Sequence, residues 1–422
     1  MKILVLRHIE KNSMDDIFHQ TDYTNYEWIK ATNVGNKLWL MGLISTISTP
    51  DNQIDFLESY MDADYINANY DICIKPEANI FSPRFRDGME RHVERYKDVK
   101  IPIYVIACGA AAKSYDELNE LCSAIKEPAT AFIRSVYKTG GEFCLRGYFT
   151  KEMFDRLGFR DAVVTGCPSM FQLGRDLQIS NNKVAPDHFR VALNGSIGMI
   201  KKTMKRTANS EFIDQGIFYP VLYSNEYSQK EKTSVKLYGI FGIEMLQENR
   251  VKLWIDLQDW ADYLIAKGFS FSCGSRIHGN IMPILCGIPA AICPPDARVR
   301  EMAEFYEIPM ISAMDLKRRD LYEIYADTNY ALFNRNFAAK FDAYEAFLKE
   351  RGIVKTVNNN PLLHTVKSTV DTQRLEDIHN LVHTERINGL YNRVHGNPGW
   401  YLYETARNCS ISAIEWFNRP KG

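Results

Sequence analysis

Short apolar runs alternate with amphipathic stretches along most of the chain. Patterns typical of buried strands occur at 2–7, 70–74, 101–107, 161–165, 189–193, 217–223, 238–243, 269–273 and 289–293. Helical periodicity fills the intervals between them, for example at 31–48, 86–97, 114–126, 150–157 and 255–267. Strands that alternate with helices in this way indicate mostly parallel sheets. The sequence therefore predicts an α/β fold.

The polar, irregular stretch 172–188 divides this alternation into two series. A chain of 422 residues also exceeds what a single core usually organises. We therefore predict two Rossmann-like lobes with parallel sheets that face each other across a cleft, spanning 1–180 and 181–330. The pattern turns helical from about residue 315. Residues 331–422 are predicted to form a helical tail that crosses back onto the first lobe.

Composition excludes several classes of protein. The formal net charge is −1, so no overall basic field attracts nucleic acid. The nine cysteines include no CxxC pair, which is typical of reduced thiols rather than of disulfides or a zinc site. No apolar run reaches the length of a membrane span. We expect a cytoplasmic protein without a metal, and without a nucleic-acid partner.

The clearest chemical signal is the sequence GSRIHG at 274–279. A buried strand leads into this loop, and a helix follows it. Helix N-termini at the carboxyl ends of parallel strands attract anions. Arg276 offers a planar fork of donors for a carboxylate or phosphate, and His278 can donate a hydrogen bond or move a proton near neutral pH. Residues that merely tie the loop to its neighbours remain an alternative.

Two further strand ends carry polar groups. Asn194 and Gly195 are predicted to form a turn. Two interpretations remain open: the amides of this turn face an anion, or the turn only caps the following helix. Asp296 caps the helix after the next strand, whose first turn contains Arg298 and Arg300. Because cations are unfavourable at a helix N-terminus, we expect a salt bridge to Glu301 or Glu304 for one arginine and an anionic ligand for the other.

Several segments together resemble the polysaccharide pyruvyl transferase family. Residues 274–309 look like its C-terminal signature, and VVTGCPSMF at 163–171 is similar to its Gly-Cys-Pro-Ser stretch. The segment 144–157 resembles its Arg-Gly segment, and NVGN at 33–36 resembles its N-terminal glycine loop. The segment 320–341 also looks like a bacterial subset of the family. The polar and aromatic residues at 12–30 depart from this pattern before the glycine loop.

The resemblance implies a GT-B-like fold and phosphoenolpyruvate as the donor, with no further cofactor. Such enzymes move pyruvate onto two hydroxyls of a sugar as a ketal and release phosphate. Arg276, the backbone of Ile277 and His278 correspond to the residues that bind the donor, and we assign Arg276 and His278 the catalytic roles. The other predicted substrate-binding residues are Ser275, Arg298, Asn194, Gly195, Asn33 and Arg146, although Arg146 could equally be a salt-bridged arginine at a sheet end.

Three functions remain open from the sequence. The first is a pyruvyl transferase acting on a cell-surface polysaccharide or its precursor, which visits the inner membrane face if that precursor is lipid-linked. The second is a nucleotide-sugar-dependent glycosyltransferase on the same GT-B fold. The third is a non-catalytic protein that binds a sugar or an anion. Candidates for the general base of a transferase are Glu226, Asp296 and Glu301.

Overall fold

The computed structural model describes residues 1–7, 34–216, 245–246, 248–358, 361–364, 370 and 373–376. Asn33 and the candidate base Glu226 lie outside these residues, as do the strands predicted at 217–223 and 238–243. Of the helical tail predicted at 331–422, the part beyond residue 358 is described only at 361–364, 370 and 373–376. Among the described helices, none combines the length and the apolar character needed to cross a membrane.

The first lobe is built around a parallel sheet. Its strands are β1 (Lys2–Val5), β2 (Gln53–Phe56), β3 (Ile72–Pro76), β4 (Ile103–Cys108), β5 (Phe143–Leu145) and β6 (Val163–Val164). Its helices are α1 (Val34–Ile47), α2 (Ala63–Asn69), α3 (Arg86–Tyr96), α4 (Leu118–Lys138) and α5 (Tyr148–Arg156). The strand order is β2-β1-β3-β4-β5-β6. This order reverses between β1 and β3, because the chain first adds β2 on one side and then β3 on the other.

A second parallel sheet forms the second lobe. Its strands are β7 (Val191–Asn194), β8 (Ser210–Asp214), β9 (Val251–Leu253), β10 (Phe271–Gly274) and β11 (Ala290–Ile292). Its helices are α6 (Ile197–Met204), α7 (Leu257–Ala266), α8 (Ile277–Leu285) and α9 (Ala297–Tyr306). The strand order is β11-β10-β7-β8-β9, which reverses between β7 and β10. The two parallel sheets confirm the predicted α/β fold with two Rossmann-like lobes, a GT-B-like arrangement.

Three helices follow the second sheet: α10 (Ala313–Arg318), α11 (Leu321–Asp327) and α12 (Ala331–Glu350). Helix α12 lies against the first lobe. The Tyr344 hydroxyl is 2.9 Å from Thr46 Oγ1 of α1, and the ring of Phe347 packs edge-on against Tyr104 of β4. This confirms the predicted helical character of the chain after the second lobe.

Helix α1 corrects one prediction. Residues 33–36 resembled an N-terminal glycine loop, but α1 already begins at Val34, and Gly35 is buried inside it. Nearly every residue of α1 is buried, so its sequence shows no polar face from which the bounds of the helix could be located. The Val34 N–H donates to the Gln215 carbonyl at 3.0 Å, and this bond ties α1 to the second lobe.

Candidate functional site

The loop after β10 is shaped by a close approach between two strand ends. Gly274 has a φ of 155°, and a Cβ at this position would lie 1.8 Å from the Asn194 carbonyl oxygen. The Ser275 N–H donates to that carbonyl at 3.2 Å, and the Arg276 N–H donates to Asn194 Oδ1 at 2.8 Å. Only glycine fits at position 274, since any side chain would separate the strands. The chain then enters α8 at Ile277.

A buried network of polar side chains holds the loop from below. Asn280 Nδ2 donates to the Arg276 carbonyl at 2.9 Å, and Asn280 Oδ1 accepts from Ser272 Oγ at 2.9 Å and from Asn194 Nδ2 at 3.1 Å. The sequence predicted that Asn194 contacts the substrate. The structure instead places its side chain under the loop, outside the lining of the cavity described next. A satisfied network of this kind fixes the loop's shape.

Between the lobes lies a cavity of about 390 Å³, and it gathers most of the predicted site residues. Those that line it are Arg146, Gly195, Ser275, Arg276, Ile277, His278 and Arg298. The lining also includes polar residues that the sequence did not single out, among them Asn36, Asn79 and Gln215. The Nε2 atom of Gln215 is buried and has no hydrogen-bond partner in the described structure. Gln215 directly follows β8, whose strand pattern the sequence did not reveal.

Arg146 lies in the first lobe just after β5 and is only 6% exposed. Its Nε and Nη2 donate to the Ala107 carbonyl at 3.1 and 3.0 Å, and its Nη1 donates to Asn79 Oδ1 at 3.2 Å. Ala107 adopts a φ of 63°, a strained conformation for alanine, where a bulge interrupts the pairing of β4 with β5. No carboxylate in the described part of the chain forms a salt bridge with Arg146, so it is not the salt-bridged arginine that the sequence left open.

The other arginines of the cavity differ in their partners. Arg276 is exposed, and its guanidinium forms no hydrogen bond or ion pair with any described residue. Arg298 pairs with Asp296 at 2.5 Å, and Arg300 pairs with Glu304 at 2.7 Å. The salt bridge expected for one of these two arginines is therefore the pair of Arg300 with Glu304, and the helix cap Asp296 also reaches Arg298. Arg298 still lines the cavity, and its contact with substrate stays a prediction.

His278 contributes a buried polar atom to the same cavity. Within the part of the chain that the structure describes, its Nε2 has no hydrogen-bond partner. Burial, together with the nearby charge of Arg146, lowers the pKa of His278 to about 3. The imidazole is therefore neutral at physiological pH when the cavity is empty. An anion in the cavity would counter the charge of Arg146, so this pKa would rise on binding.

Of the predicted general bases, two lie within the described residues. Glu301 accepts hydrogen bonds from the Thr150 N–H at 3.0 Å and the Thr150 hydroxyl at 2.9 Å, and burial raises its pKa to about 7. This contact joins α9 of the second lobe to α5 of the first. Glu301 does not line the cavity, so it links the two lobes and does not face an acceptor as a base would. Asp296 does line the cavity, where Arg298 holds it.

The electrostatics of the cavity favour an anion. Three arginines and one aspartate line it, namely Arg146, Arg276, Arg298 and Asp296, which leaves a net charge of +2 from 3 − 1. The first amides of α8 start at its edge, where a helix N-terminus adds positive potential. The described residues contain no group of three or more His, Cys, Asp or Glu side chains that could hold a metal ion. The arrangement suits a small molecule with several negative charges.

Comparisons with known proteins give a clear family match. The family model of polysaccharide pyruvyl transferases matches residues 16–296. No curated protein matches the chain. Among solved structures, the glycosyltransferase SnogD from Streptomyces nogalater is 13% identical, with a TM-score of 0.31 over 80% of this chain and 86% of that one. S. aureus MnaA, solved with UDP, is 8% identical, with a TM-score of 0.40 over 84% and 98%. Such remote likenesses carry no functional argument.

Proposed function

This chain belongs to the polysaccharide pyruvyl transferase family, and we propose that it uses phosphoenolpyruvate to place a pyruvate ketal on a sugar of a cell-surface polysaccharide or its precursor. The observation that carries this proposal is the pair of guanidiniums in one cavity, Arg146 and Arg276, neither of which has a carboxylate partner among the described residues. Arg146 is buried, and a buried cation without a carboxylate partner is costly unless a ligand supplies the opposite charge. Because phosphoenolpyruvate is a cytoplasmic metabolite, we place the reaction in the cytoplasm, at the inner membrane face if the acceptor is lipid-linked.

The donor's charges match the groups that line the cavity. Phosphoenolpyruvate combines a carboxylate with a phosphate and carries about three negative charges near neutral pH. A guanidinium can bind either group through two parallel hydrogen bonds. Arg146 has five N–H donors, of which the protein uses three, so two remain for a ligand. We assign the donor's anionic groups to Arg146 and Arg276, with the amides that open α8 as additional donors.

The reaction requires protons to be added and removed in balance. A proton added to the methylene carbon of the enol makes a methyl group and leaves the neighbouring carbon electrophilic. One sugar hydroxyl bonds to that carbon and loses its proton, while the bond to phosphate breaks and phosphate takes the electron pair. The second hydroxyl then bonds to the same carbon, loses its proton and closes the ketal. The two protons released balance the one on the methyl group and the one that phosphate takes up.

His278 is placed to take part in the protonation. In the empty cavity it is neutral, with a pKa of about 3. Bound phosphoenolpyruvate brings negative charge next to the imidazole, which favours its protonated form. A protonated His278 can donate a hydrogen bond to the donor and supply a proton. Asp296 is the carboxylate that we propose as the base, since it lines the cavity.

Titration calorimetry with phosphoenolpyruvate tests the proposal. We expect the wild-type protein to bind phosphoenolpyruvate, and Arg276→Ala to weaken binding at least about tenfold, because charge-assisted hydrogen bonds are each worth roughly 1.5–3 kcal/mol. Arg160→Ala is the matched control, since Arg160 is an exposed arginine of the first lobe outside the cavity. Equal affinity in the two variants would refute the assignment, and no binding to the wild type would refute the proposed donor.

A further inference from the structure

A second crevice, of about 200 Å³, opens beside the anion cavity in the first lobe. It is lined by Arg7, which lies just after β1, and by residues 75–77 at the end of β3. The strand order of the first sheet reverses between these two strands. Open parallel sheets bind ligands at such a point, beyond the carboxyl ends of the strands. In the second lobe the equivalent point, between Asn194 and Gly274, borders the anion cavity.

The lining of this crevice is suited to a sugar. It combines two aromatic rings, two side-chain amides and one carboxylate, which belong to Trp39, Phe85, Asn36, Asn79 and Glu77. Aromatic rings pack against the apolar face of a sugar, while amides and carboxylates bind its hydroxyls. The volume is below the roughly 300–1,000 Å³ of ordinary ligand pockets, so the crevice holds one sugar ring rather than a nucleotide.

Asn79 joins the crevice to the anion cavity, because it lines both. Its contact with Arg146 Nη1 at 3.2 Å fixes the orientation of its amide. Arginine can only donate, so the contacting atom of Asn79 is its oxygen, and the NH₂ group is turned away from Arg146. Within the described structure this NH₂ group forms no hydrogen bond. It is therefore available to donate to a ligand oxygen close to the donor site.

Trp39 supplies a second donor without an acceptor. The residue lines the crevice and is only 3% exposed, and its buried indole Nε1 has no hydrogen-bond partner among the described residues. Buried indole N–H groups usually have an acceptor, since leaving one unsatisfied costs stability. A sugar hydroxyl or ring oxygen is an acceptor of the required size.

We propose that this crevice binds one sugar ring of the acceptor, with the Trp39 indole N–H and the Asn79 amide donating to its oxygens. The sugar's use as the acceptor of pyruvate rests on the proposed function, whereas its binding in the crevice does not. Asn79 then places the bound ring at the border of the anion cavity. Residues 75–85 of the first lobe thereby determine which sugar is modified.

Saturation-transfer difference NMR tests the proposal directly. The probes are a panel of free hexoses, N-acetylhexosamines and hexuronic acids at millimolar concentration, each titrated into the full-length protein. Trp39→Phe removes the indole N–H and keeps an aromatic ring. Trp260→Phe is the matched control, because Trp260 is also buried, its indole N–H has no acceptor in residues that the structure describes, and it lines neither cavity. Phe85→Ala provides a second variant, since Phe85 is 40% exposed and its removal spares the core.

We expect at least one sugar to bind the wild type and the Trp260→Phe variant equally. Trp39→Phe and Phe85→Ala should each weaken that sugar about fivefold or more, the loss of roughly one hydrogen bond or ring contact. No sugar bound by the wild type, or equal binding by Phe85→Ala, overturns the proposal. The change in melting temperature caused by phosphoenolpyruvate, measured on the same samples, separates the proposed sugar site from the proposed donor. Sugar binding that depends on Trp39 without such a shift supports the crevice and refutes the donor, whereas a shift without sugar binding does the reverse.

Discussion

Replacement of Arg146 by methionine is the sharpest test of how the cavity recognises its ligand. The change removes the charge and all five donors while it keeps a side chain of similar length. Arg146 has two N–H groups that the protein does not use. Two charge-assisted bonds at roughly 1.5–3 kcal/mol each amount to about 3–6 kcal/mol. We therefore expect phosphoenolpyruvate to bind roughly 10²- to 10⁴-fold more weakly, at about 1.4 kcal/mol per factor of ten.

The stability of the same variant gives an independent check. Arg146→Met loses three hydrogen bonds, worth about 1 kcal/mol each, to Ala107 and Asn79. It also removes a buried cation without a salt-bridge partner in the described chain, which recovers several kcal/mol. We therefore expect the melting temperature without ligand to stay equal or rise. The pKa of His278 should rise from about 3, because the charge of Arg146 lowers it, but burial should keep it below its usual 6.5.

Calorimetric titration of phosphoenolpyruvate into wild type, Arg146→Met and Arg146→Lys measures the effect. Lysine keeps the charge but cannot form two parallel bonds, so its affinity should lie between the other two. The melting temperature of each variant shows whether the fold is intact. An affinity of Arg146→Met within threefold of the wild type would refute the assignment of the buried guanidinium to the donor.

Three further predictions concern the groups around the cavity. The pKa of Glu301 is raised to about 7 from 4.5, so the stability it contributes is present below pH 4.5 and is lost as the pH rises through 7. Between pH 5 and 8, the melting temperature of Glu301→Gln should rise relative to that of the wild type as the pH increases. The gain corresponds to at most ~3 kcal/mol in the free energy of unfolding. A difference in melting temperature that is the same at every pH would contradict this. At pH 7.5, phosphoenolpyruvate binding should take up a proton at His278, seen as a buffer-dependent binding enthalpy that is smaller in His278→Asn; the same dependence in both proteins would exclude it. Gly274→Ala should lower the melting temperature far more than Gly140→Ala, because both have positive φ but only Gly274 lies against a neighbouring backbone; equal losses would show that crowding is unimportant.

The loop at 274–279 could be read from the sequence because its signals are local. An apolar strand, a glycine and a helix follow one another directly, and the structure has β10 end at Gly274 and α8 begin at Ile277. Helices α3 and α7 were likewise predicted to within two residues at each end, whereas the helix predicted at 114–126 covers only part of α4, which continues to Lys138. The three-residue strand β5 was missed because Glu142 and Arg146 flank it, whereas β11, of the same length, lies inside the apolar run 288–293 and was found. An element of that length leaves no periodicity to detect.

Contacts that join distant segments could not be read in this way. Asn79 meets Arg146 only because β3, β4 and β5 are neighbours in the sheet, and the sequence does not specify the strand order. The partner of Glu301 is Thr150, which is 151 residues away. The salt bridge between Arg298 and Asp296 was missed although it is local, since the sequence suggested only a helix cap for Asp296.

The most direct test of the proposed pyruvyl transferase function is thermal melting of the protein with phosphoenolpyruvate and, separately, with a panel of nucleotide sugars. A ligand that binds the folded state raises the melting temperature by mass action. A pyruvyl transferase should be stabilised by phosphoenolpyruvate and not by the nucleotide sugars, and Arg276→Ala should lose that effect. Stabilisation by a nucleotide sugar and not by phosphoenolpyruvate would contradict the proposed function and indicate a glycosyltransferase.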